Sequence, residues 1–476
     1  MTNAIATNKA KLLLIIAMSA CVAMIFLDES GVGVTLPSIQ KDLGLSNLGM
    51  QWVMNAFLLL LSSFLLASGR LADSIGHRKV FIIGMIVFLV ASFLCGVAQS
   101  QAWLITGRVL QGIGASLLAP TNMTLINMAF PAAERGKALG TVIGISSLFM
   151  AGGPLIGGFI AEFFSWRWIF LLNIPVAIIS IYFTLLAIPA DKALQQSFRF
   201  DIKGLIFFSV VLNALIIGLM EGTNFGWQNP IIISLLLIGT IGLVLFAYFE
   251  LKISHPLIDL RCFSNKVFLT GNIILFCGQL SVISMIFWSI WLQQVIGFTP
   301  LMAGIALLPT TGPIIFFARI GGKWLDQYGP RLPIILGTGL IVLGTFWIAL
   351  MAQQNSYLWI IFGLLCCGIG TPLIMPTAVT TILSTVAPAQ HGMAAGTLNT
   401  MRQIGAAFGL AIIGATISYY EMPANNLLPT NTTAIYSRAF AYGIAVSGIF
   451  ALLAFIFSVL YLPKKLNFIS ESKNFH

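Results

Sequence analysis

The feature that most limits what this chain can fold into is the length of apolar sequence it carries without a charge. Residues 332 to 401 contain no Asp, Glu, Lys or Arg, and residues 267 to 318 contain none either. No soluble domain could hide such runs from water, because its surface needs charge to stay hydrated. Only 8% of the 476 residues are charged and 58% are hydrophobic, whereas an ordinary soluble domain is roughly a quarter charged. A soluble enzyme is excluded, and a polytopic membrane protein is the class that remains.

Each helical crossing takes about 20 apolar residues. Segments bounded by charges, Pro/Gly turns or polar clusters fall at about 12 to 36, 50 to 69, 80 to 97, 102 to 121, 138 to 160, 168 to 188, 204 to 220, 230 to 249, 267 to 291, 301 to 319, 332 to 352, 357 to 377, 392 to 413 and 439 to 462. These are fourteen spans, of lengths that suit tilted helices and not barrel strands. The charge-free runs are divided at Gly297-Phe298-Thr299-Pro300, at Gln353-Gln354-Asn355-Ser356 and at Pro388-Ala389-Gln390-His391-Gly392, where turn-forming and polar residues gather.

The positive charges test this count. If the N-terminus is cytoplasmic, nineteen of the 24 Lys and Arg fall in inner segments, among them Lys192, Arg199 and Lys473. Only Lys41, Arg167 and Arg438 fall outside, and Arg108 and Arg402 stand within spans. The net charge of +10 is therefore a positive-inside bias, not a nucleic-acid surface. It predicts a multi-pass plasma (inner) membrane protein with both termini cytoplasmic. Trp52, Trp103, Trp166, Trp227, Trp291 and Trp359 gather at the outer ends, as an aromatic belt does. Lys9 and Lys11 before the apolar run Leu12 to Leu27 resemble a signal peptide, and Ser19-Ala20-Cys21 resembles a lipoprotein cleavage site. With so many spans following, the reading taken is an uncleaved first helix. Six cysteines form no C-x-x-C pair, and four histidines offer no metal constellation.

An internal repeat gives the architecture. Gly69-Arg70-Leu71-Ala72-Asp73-Ser74-Ile75-Gly76-His77-Arg78 stands between spans 2 and 3, and Gly322-Lys323-Trp324-Leu325-Asp326-Gln327-Tyr328-Gly329-Pro330-Arg331 between spans 10 and 11. Gly, base, Asp, Gly and Arg recur at a constant offset of 253 residues. Spans 1 to 6 map onto spans 9 to 14. The expected organisation is an N-terminal six-helix bundle over 1–190, an inserted helix pair over 191–255 and a C-terminal six-helix bundle over 256–476. Two parallel halves of this kind are a transporter architecture.

These loops resemble the signature of the major facilitator superfamily, and further matches resemble its fourteen-helix drug/proton antiporters. Span 1 carries Leu27-Asp28 and closes on Leu36-Pro37; span 4 carries Arg108-x-x-Gln111-Gly112-x-Gly114; span 5 carries Gly153-Pro154-x-x-Gly157-Gly158. Trp166-Arg167-Trp168, Asn173, Pro175, Asp201-x-x-Gly204, His255-Pro256-Leu257-x-Asp259-Leu260 and Asn399-x-x-Arg402-Gln403-x-Gly405 are similar to the fourteen-helix branch. Gly33, Thr35 and the extra acid Glu29 depart from the first-helix pattern. The resemblance implies efflux of amphipathic, cationic drugs or toxic compounds in exchange for protons, by alternating access. An exporter of a specific metabolite or siderophore on the same fold is the alternative.

Asp28 and Glu29 have apolar sequence on both sides. A carboxylate in such a span is costly to keep ionised and suits proton binding and release; the other reading is a helix that ends at Leu27, with both acids in an outer loop. Glu29 lies about 100° around the helix from Asp28 and cannot face the same point. Arg108 either answers the protonation of a span 1 acid, as the resemblance implies, or bonds backbone carbonyls as a structural group. Gln111 lies one turn along on its face. Gly112, Gly153, Pro154, Gly157 and Gly158 fit close helix packing and, by the resemblance, a flexing, leak-proof antiporter contact. Gly69, Asp73, Gly76 and Arg78, with Gly322, Asp326, Gly329 and Arg331, are candidates for an inner gate, in which each Asp caps a helix start or bridges to a neighbouring base. Arg402 is open between a structural and a functional role.

No G-x-x-x-x-G-K-[ST] run exists to bind a nucleotide, so the proton gradient is the expected energy source and no cofactor is expected. The polar segments of about 189 to 203 and 421 to 438 are too short for a catalytic or sensory domain, so the chain is read as no enzyme. The partners expected are a small-molecule substrate, protons and the lipid bilayer, with no nucleic acid; an adaptor protein is left open. The topology is testable with an impermeant thiol reagent on intact cells. A cysteine replacing Asn431 should be labelled and one replacing Lys464 should not; the reverse pattern overturns the fourteen-span count.

Overall fold

The computed structural model describes residues 7–189, 191, 202–253, 256–387, 390–421 and 432–465. Lys192, Arg199, Asp201, His255, Pro388, Ala389, Asn431 and Lys473 lie outside the described residues. Among those described, fourteen helices are long and apolar enough to cross a membrane. In chain order they are Asn8–Leu43, Asn47–Ile75, His77–Gly96, Gln101–Ala129, Glu134–Phe163, Trp168–Ala187, Lys203–Phe225, Pro230–Glu250, Lys266–Gln294, Pro300–Tyr328, Arg331–Gln354, Tyr357–Leu383, His391–Glu421 and Thr433–Tyr461. The number matches the sequence reading, while most helices run past the apolar segment that marked them. An α-helix satisfies its own backbone and has no reason to stop where hydropathy does.

Span 1 shows this most clearly. Thr7 caps its start by accepting from the Ala10 amide, and Gly44, at φ 65°, ends it in the left-handed conformation. Between these signals the helix is continuous for 36 residues. The reading in which it ends at Leu27 is thereby excluded: Asp28 and Glu29 are helical and lie within the span. Spans 9 and 10 are less regular than their hydropathy suggests. Span 9 is interrupted between Val282 and Met285, and span 10 is three pieces, Pro300–Ala306, Leu308–Thr311 and Ile314–Tyr328. Pro309 and Pro313 lack the amide proton that would continue the helix through them.

The helices gather into two compact units. One comprises Met1–Leu205 together with Phe298–Leu308, and the other Ile206–Gly297 with Pro309–His476. Within the first, span 5 lies against span 1 with almost no side chain between them. A methyl group on Gly157 would lie 2.5 Å from the Gly31 carbonyl oxygen, and one on Gly153 would collide with Ser30 Oγ. The other side of span 5 meets the start of span 10, where Gly158 leaves room for Pro300 and Gly304 leaves room for Pro154. Small residues let backbones approach where lipid supplies no hydrophobic drive for association.

The second unit uses the same device. Gly337 and Gly370 each abut the other's carbonyl across spans 11 and 12, as do Gly344 and Gly363. Spans 7 and 8 belong to this unit. Span 8 buries Ile232, Gly239, Gly242, Phe246 and Glu250, a single helical face, and exposes Ile231, Leu237, Ile241 and Val244, the apolar outer face of a membrane helix.

The close approach at Gly157 generates a paired test. Gly157→Ala should cost on the order of 1–3 kcal/mol by overpacking and lower the melting temperature of the purified protein. Gly144→Ala in the same helix, where a methyl meets nothing within 4 Å, should not. Equal melting of the two variants would contradict the assigned packing.

Candidate functional site

Span 1 brings Asp28 to span 4 inside the first unit, and the side chains there form a closed polar cluster. Asp28 is 1% exposed, and Arg108 and Gln111 are fully buried. Arg108 Nη1 donates to Asp28 Oδ2 at 2.5 Å and to Gln111 Oε1 at 2.8 Å, and Nε donates to the Val53 carbonyl of span 2 at 2.8 Å. The guanidinium lies 4.5 Å from the Phe57 ring centre and 5.7 Å from that of Phe170. Arg108 thus meets the span 1 acid and also a backbone carbonyl. Its Nη2 is buried without an acceptor.

Gln111 is the hub. Its Nε2 donates to Asp28 Oδ1 at 3.4 Å and to Ser92 Oγ of span 3 at 2.9 Å, while its Oε1 accepts from Arg108 and from Cys95 Sγ. Asn173 of span 6 donates to the same Ser92 oxygen at 3.4 Å. Ser92 and Cys95 escaped the sequence reading because a Ser or Cys in an apolar span looks like any small residue. Asn173 stands out in the sequence only through the family resemblance. Glu29, the neighbouring acid, is half-buried on another face of the helix.

Gly112 does not line this cluster. It sits where a methyl would come 2.5 Å from the Phe57 carbonyl oxygen, so its place is the packing of span 4 on span 2. Gly153, Pro154, Gly157 and Gly158 are likewise packing positions on span 5: Gly153 and Gly157 adjoin Ser30 and Gly31, which immediately follow the two acids, while Pro154 and Gly158 adjoin Gly304 and Pro300. At the end of this helix Glu162 Oε2 accepts from the Leu301 amide at 2.9 Å.

The two repeated loops take a form the sequence did not indicate. Asp73 approaches His77 Nε2 at 3.2 Å, and the start of span 3 is capped instead by Asp191, which accepts from the Lys79 amide at 2.8 Å and the Arg78 amide at 3.4 Å. Gly76, at φ 107°, has no room for a side chain beside Asp191. Arg78 donates to the Leu185 carbonyl near the end of span 6, and Arg331 to the Val459 carbonyl near the end of span 14. The repeated arginines thus tie each loop to the last helix of its own half. Asp326 is exposed, Gly329 has φ 79°, and a methyl on Gly322 would meet nothing within 4 Å, whereas Gly69 has Pro120 at 3.8 Å.

At the other end of the first unit, Arg167 Nη1 pairs with Asp42 Oδ2 at 2.6 Å and Nη2 donates to the Ala98 carbonyl at 3.0 Å. Trp166 Nε1 donates to the same carboxylate oxygen at 3.0 Å. Span 1 is thereby tied to the loops before spans 4 and 6, through an acid that nothing in the sequence marked.

Residues 18–410 match the family described as the Major Facilitator Superfamily. The chain belongs to that superfamily. It is 32% identical over 414 residues to the multidrug resistance protein Stp of Mycobacterium tuberculosis (strain CDC 1551 / Oshkosh), covering 86% of this chain and 76% of that protein. It is 28% identical over 466 residues to the riboflavin transporter RibZ of Clostridioides difficile (strain 630), covering 96% and 98%. Among solved structures, a bacterial homolog of the human lysosomal transporter Spinster, inward-facing and unoccupied, superposes with a TM-score of 0.69 at 16% identity, covering 96% of this chain and 97% of that one. This major facilitator is a multi-pass membrane transporter and not an enzyme.

The buried pair of this major facilitator has a stability signature. Removing one partner leaves an uncompensated buried charge and costs about 3–5 kcal/mol, whereas replacing both with apolar groups costs far less. Arg108→Met should melt well below the wild type in detergent, and Asp28→Leu/Arg108→Met above Arg108→Met. A double variant no more stable than that single one would deny the direct contact.

Proposed function

We propose that this transporter is a proton-coupled antiporter that exports amphipathic, cationic compounds by alternating access, with Asp28 as the proton carrier. The observation that carries this reading is a carboxylate and a guanidinium sealed together among apolar helices. Ionised, Asp28 holds Arg108 by charge and hydrogen bond in a low-dielectric setting. A proton on Asp28 removes the Coulombic part and leaves Arg108 to its carbonyl, Gln111 and ring contacts. Gln111, bonded to both partners, keeps them in register through either state.

The change then has a short route. Ser30 and Gly31 follow Asp28 and Glu29 on span 1 and press against Gly153 and Gly157 of span 5. Span 5 in turn packs on the start of span 10. A small displacement of span 1 therefore cannot be absorbed at that contact, where backbone meets backbone, and passes to Pro154. The loops holding Arg78 and Arg331 would act as the inner gate. Uptake of a proton from outside and release inside would drive one round of export, with no cofactor required. The resistance protein among the relatives supports a drug substrate, and its assignment to this chain is part of the proposal.

Efflux of ethidium from cells, or its uptake into everted vesicles, with and without an uncoupler tests the coupling. Asp28→Asn should fold and insert as the wild type does, yet lose uncoupler-sensitive transport down to the level of vesicles lacking the protein. Arg108→Lys, which keeps the charge without the planar fork, should retain part of it. Full uncoupler-sensitive transport by Asp28→Asn would reject Asp28 as the carrier, and its loss in Glu29→Gln alone would transfer the role to Glu29.

A further inference from the structure

Arg108 and Arg402 both stand within spans, and the structure treats them differently. Arg108 has an acid, an amide, a carbonyl and two rings around it. Arg402 stands eleven residues into span 13, His391–Glu421, about 16 Å along the helix. It is partly exposed, and its Nε is buried with no hydrogen-bond partner. No ion pair engages it among the described residues. Asn399, one turn earlier on the same face, bonds Ala395 of its own helix with its amide nitrogen and, being neutral, offers no countercharge.

Among the described residues the second unit has no acid placed to neutralise it. From residue 327 to residue 420 the sequence contains no Asp or Glu, and span 9 and span 14 contain none. The described acids of that unit, Glu221, Glu250, Asp259, Asp326 and Glu421, all stand at or near span ends. A permanent cation in an apolar span is costly unless something anionic meets it. An aromatic pair lies further along span 13 and on the facing part of span 9. Gly405, three residues on, presses against the Phe276 backbone, and the Phe276 and Phe408 rings, both partly exposed, lie 6.0 Å apart.

We propose that Arg402 anchors an anionic group, a carboxylate or phosphate, borne by the exported compound, with the Phe276–Phe408 pair receiving its aromatic body. This rests on the export reading above and refines the substrate class: amphipathic aromatic cations that also carry an acid would be favoured over their neutralised counterparts. A guanidinium suits the role because its fork meets a carboxylate with two parallel bonds. An anionic lipid headgroup offers the same chemistry, and the experiment separates the two.

Rhodamine B and its ethyl ester share one xanthene cation and differ by a free carboxylate. Their binding to the purified protein in phosphatidylcholine nanodiscs is read by fluorescence polarisation, without any proton gradient, so a failure of proton coupling would not affect it. The wild type should bind the acid about 10-fold more tightly than the ester. Arg402→Gln should abolish that preference while leaving ester binding unchanged, Arg402→Lys should keep part of it, and Phe408→Ala should weaken both dyes alike. Equal binding of both dyes by the wild type overturns the proposal, as does a preference that survives in Arg402→Gln or an equal loss of both dyes in that variant. So does a wild-type preference abolished by adding phosphatidylglycerol at a constant dye concentration, which would make lipid the occupant of Arg402.

Discussion

An uncompensated charge has almost no place inside an apolar helix bundle, and that constraint organises this protein. Of 38 charged residues, nearly all are at span ends or in loops. The first unit admits Asp28 and Arg108 to its interior only by joining them, and then surrounds the pair with Gln111, Ser92, Asn173, Val53 and two aromatic rings. Three other helices of the bundle thus contribute to holding one contact between spans 1 and 4. Removal of either partner would strand the other, so position and charge state are linked there by physical necessity.

The same bundle pins span 1 along its length. Lys11 pairs with Glu134 at 2.7 Å near one end, Gly31 meets Gly157 in the middle, and Asp42 meets Arg167 near the other end. The exposed pairs contribute little to stability on their own, under about 1 kcal/mol each. Their value is geometric. They hold span 1 against span 5 and the neighbouring loops, so that the carboxylate of Asp28 is presented to Arg108 by a helix with little freedom to turn.

The internal repeat has preserved anchoring more than chemistry. Arg78 and Arg331 each reach a carbonyl near the end of the last helix in their own half. The conserved spacing thus encodes a loop-to-helix tie. Yet among the described residues the acid and arginine of the first half have no counterpart pair in the second, where Arg402 stands in a run of sequence without acids. Two halves built on one plan have acquired different electrostatic interiors.

The sequence alone determined the number of spans, their helical nature, the side bias of the positive charge and the repeat, because each depends on local sums of hydropathy and charge. It also singled out Asp28, Arg108 and Gln111, since a polar residue in an apolar run is conspicuous wherever it points. Tertiary structure decided everything that depends on who faces whom. Asp28 and Arg108 are 80 residues apart, and no periodicity distinguishes Asp28 from Glu29; the rotation of span 1, held by glycine contacts to span 5, does. Ser92 was invisible for the same reason, and so was the exchange of Asp73 for Asp191 at the start of span 3. Hydropathy is a property of a segment, whereas a hydrogen bond across a bundle belongs to the packing of several.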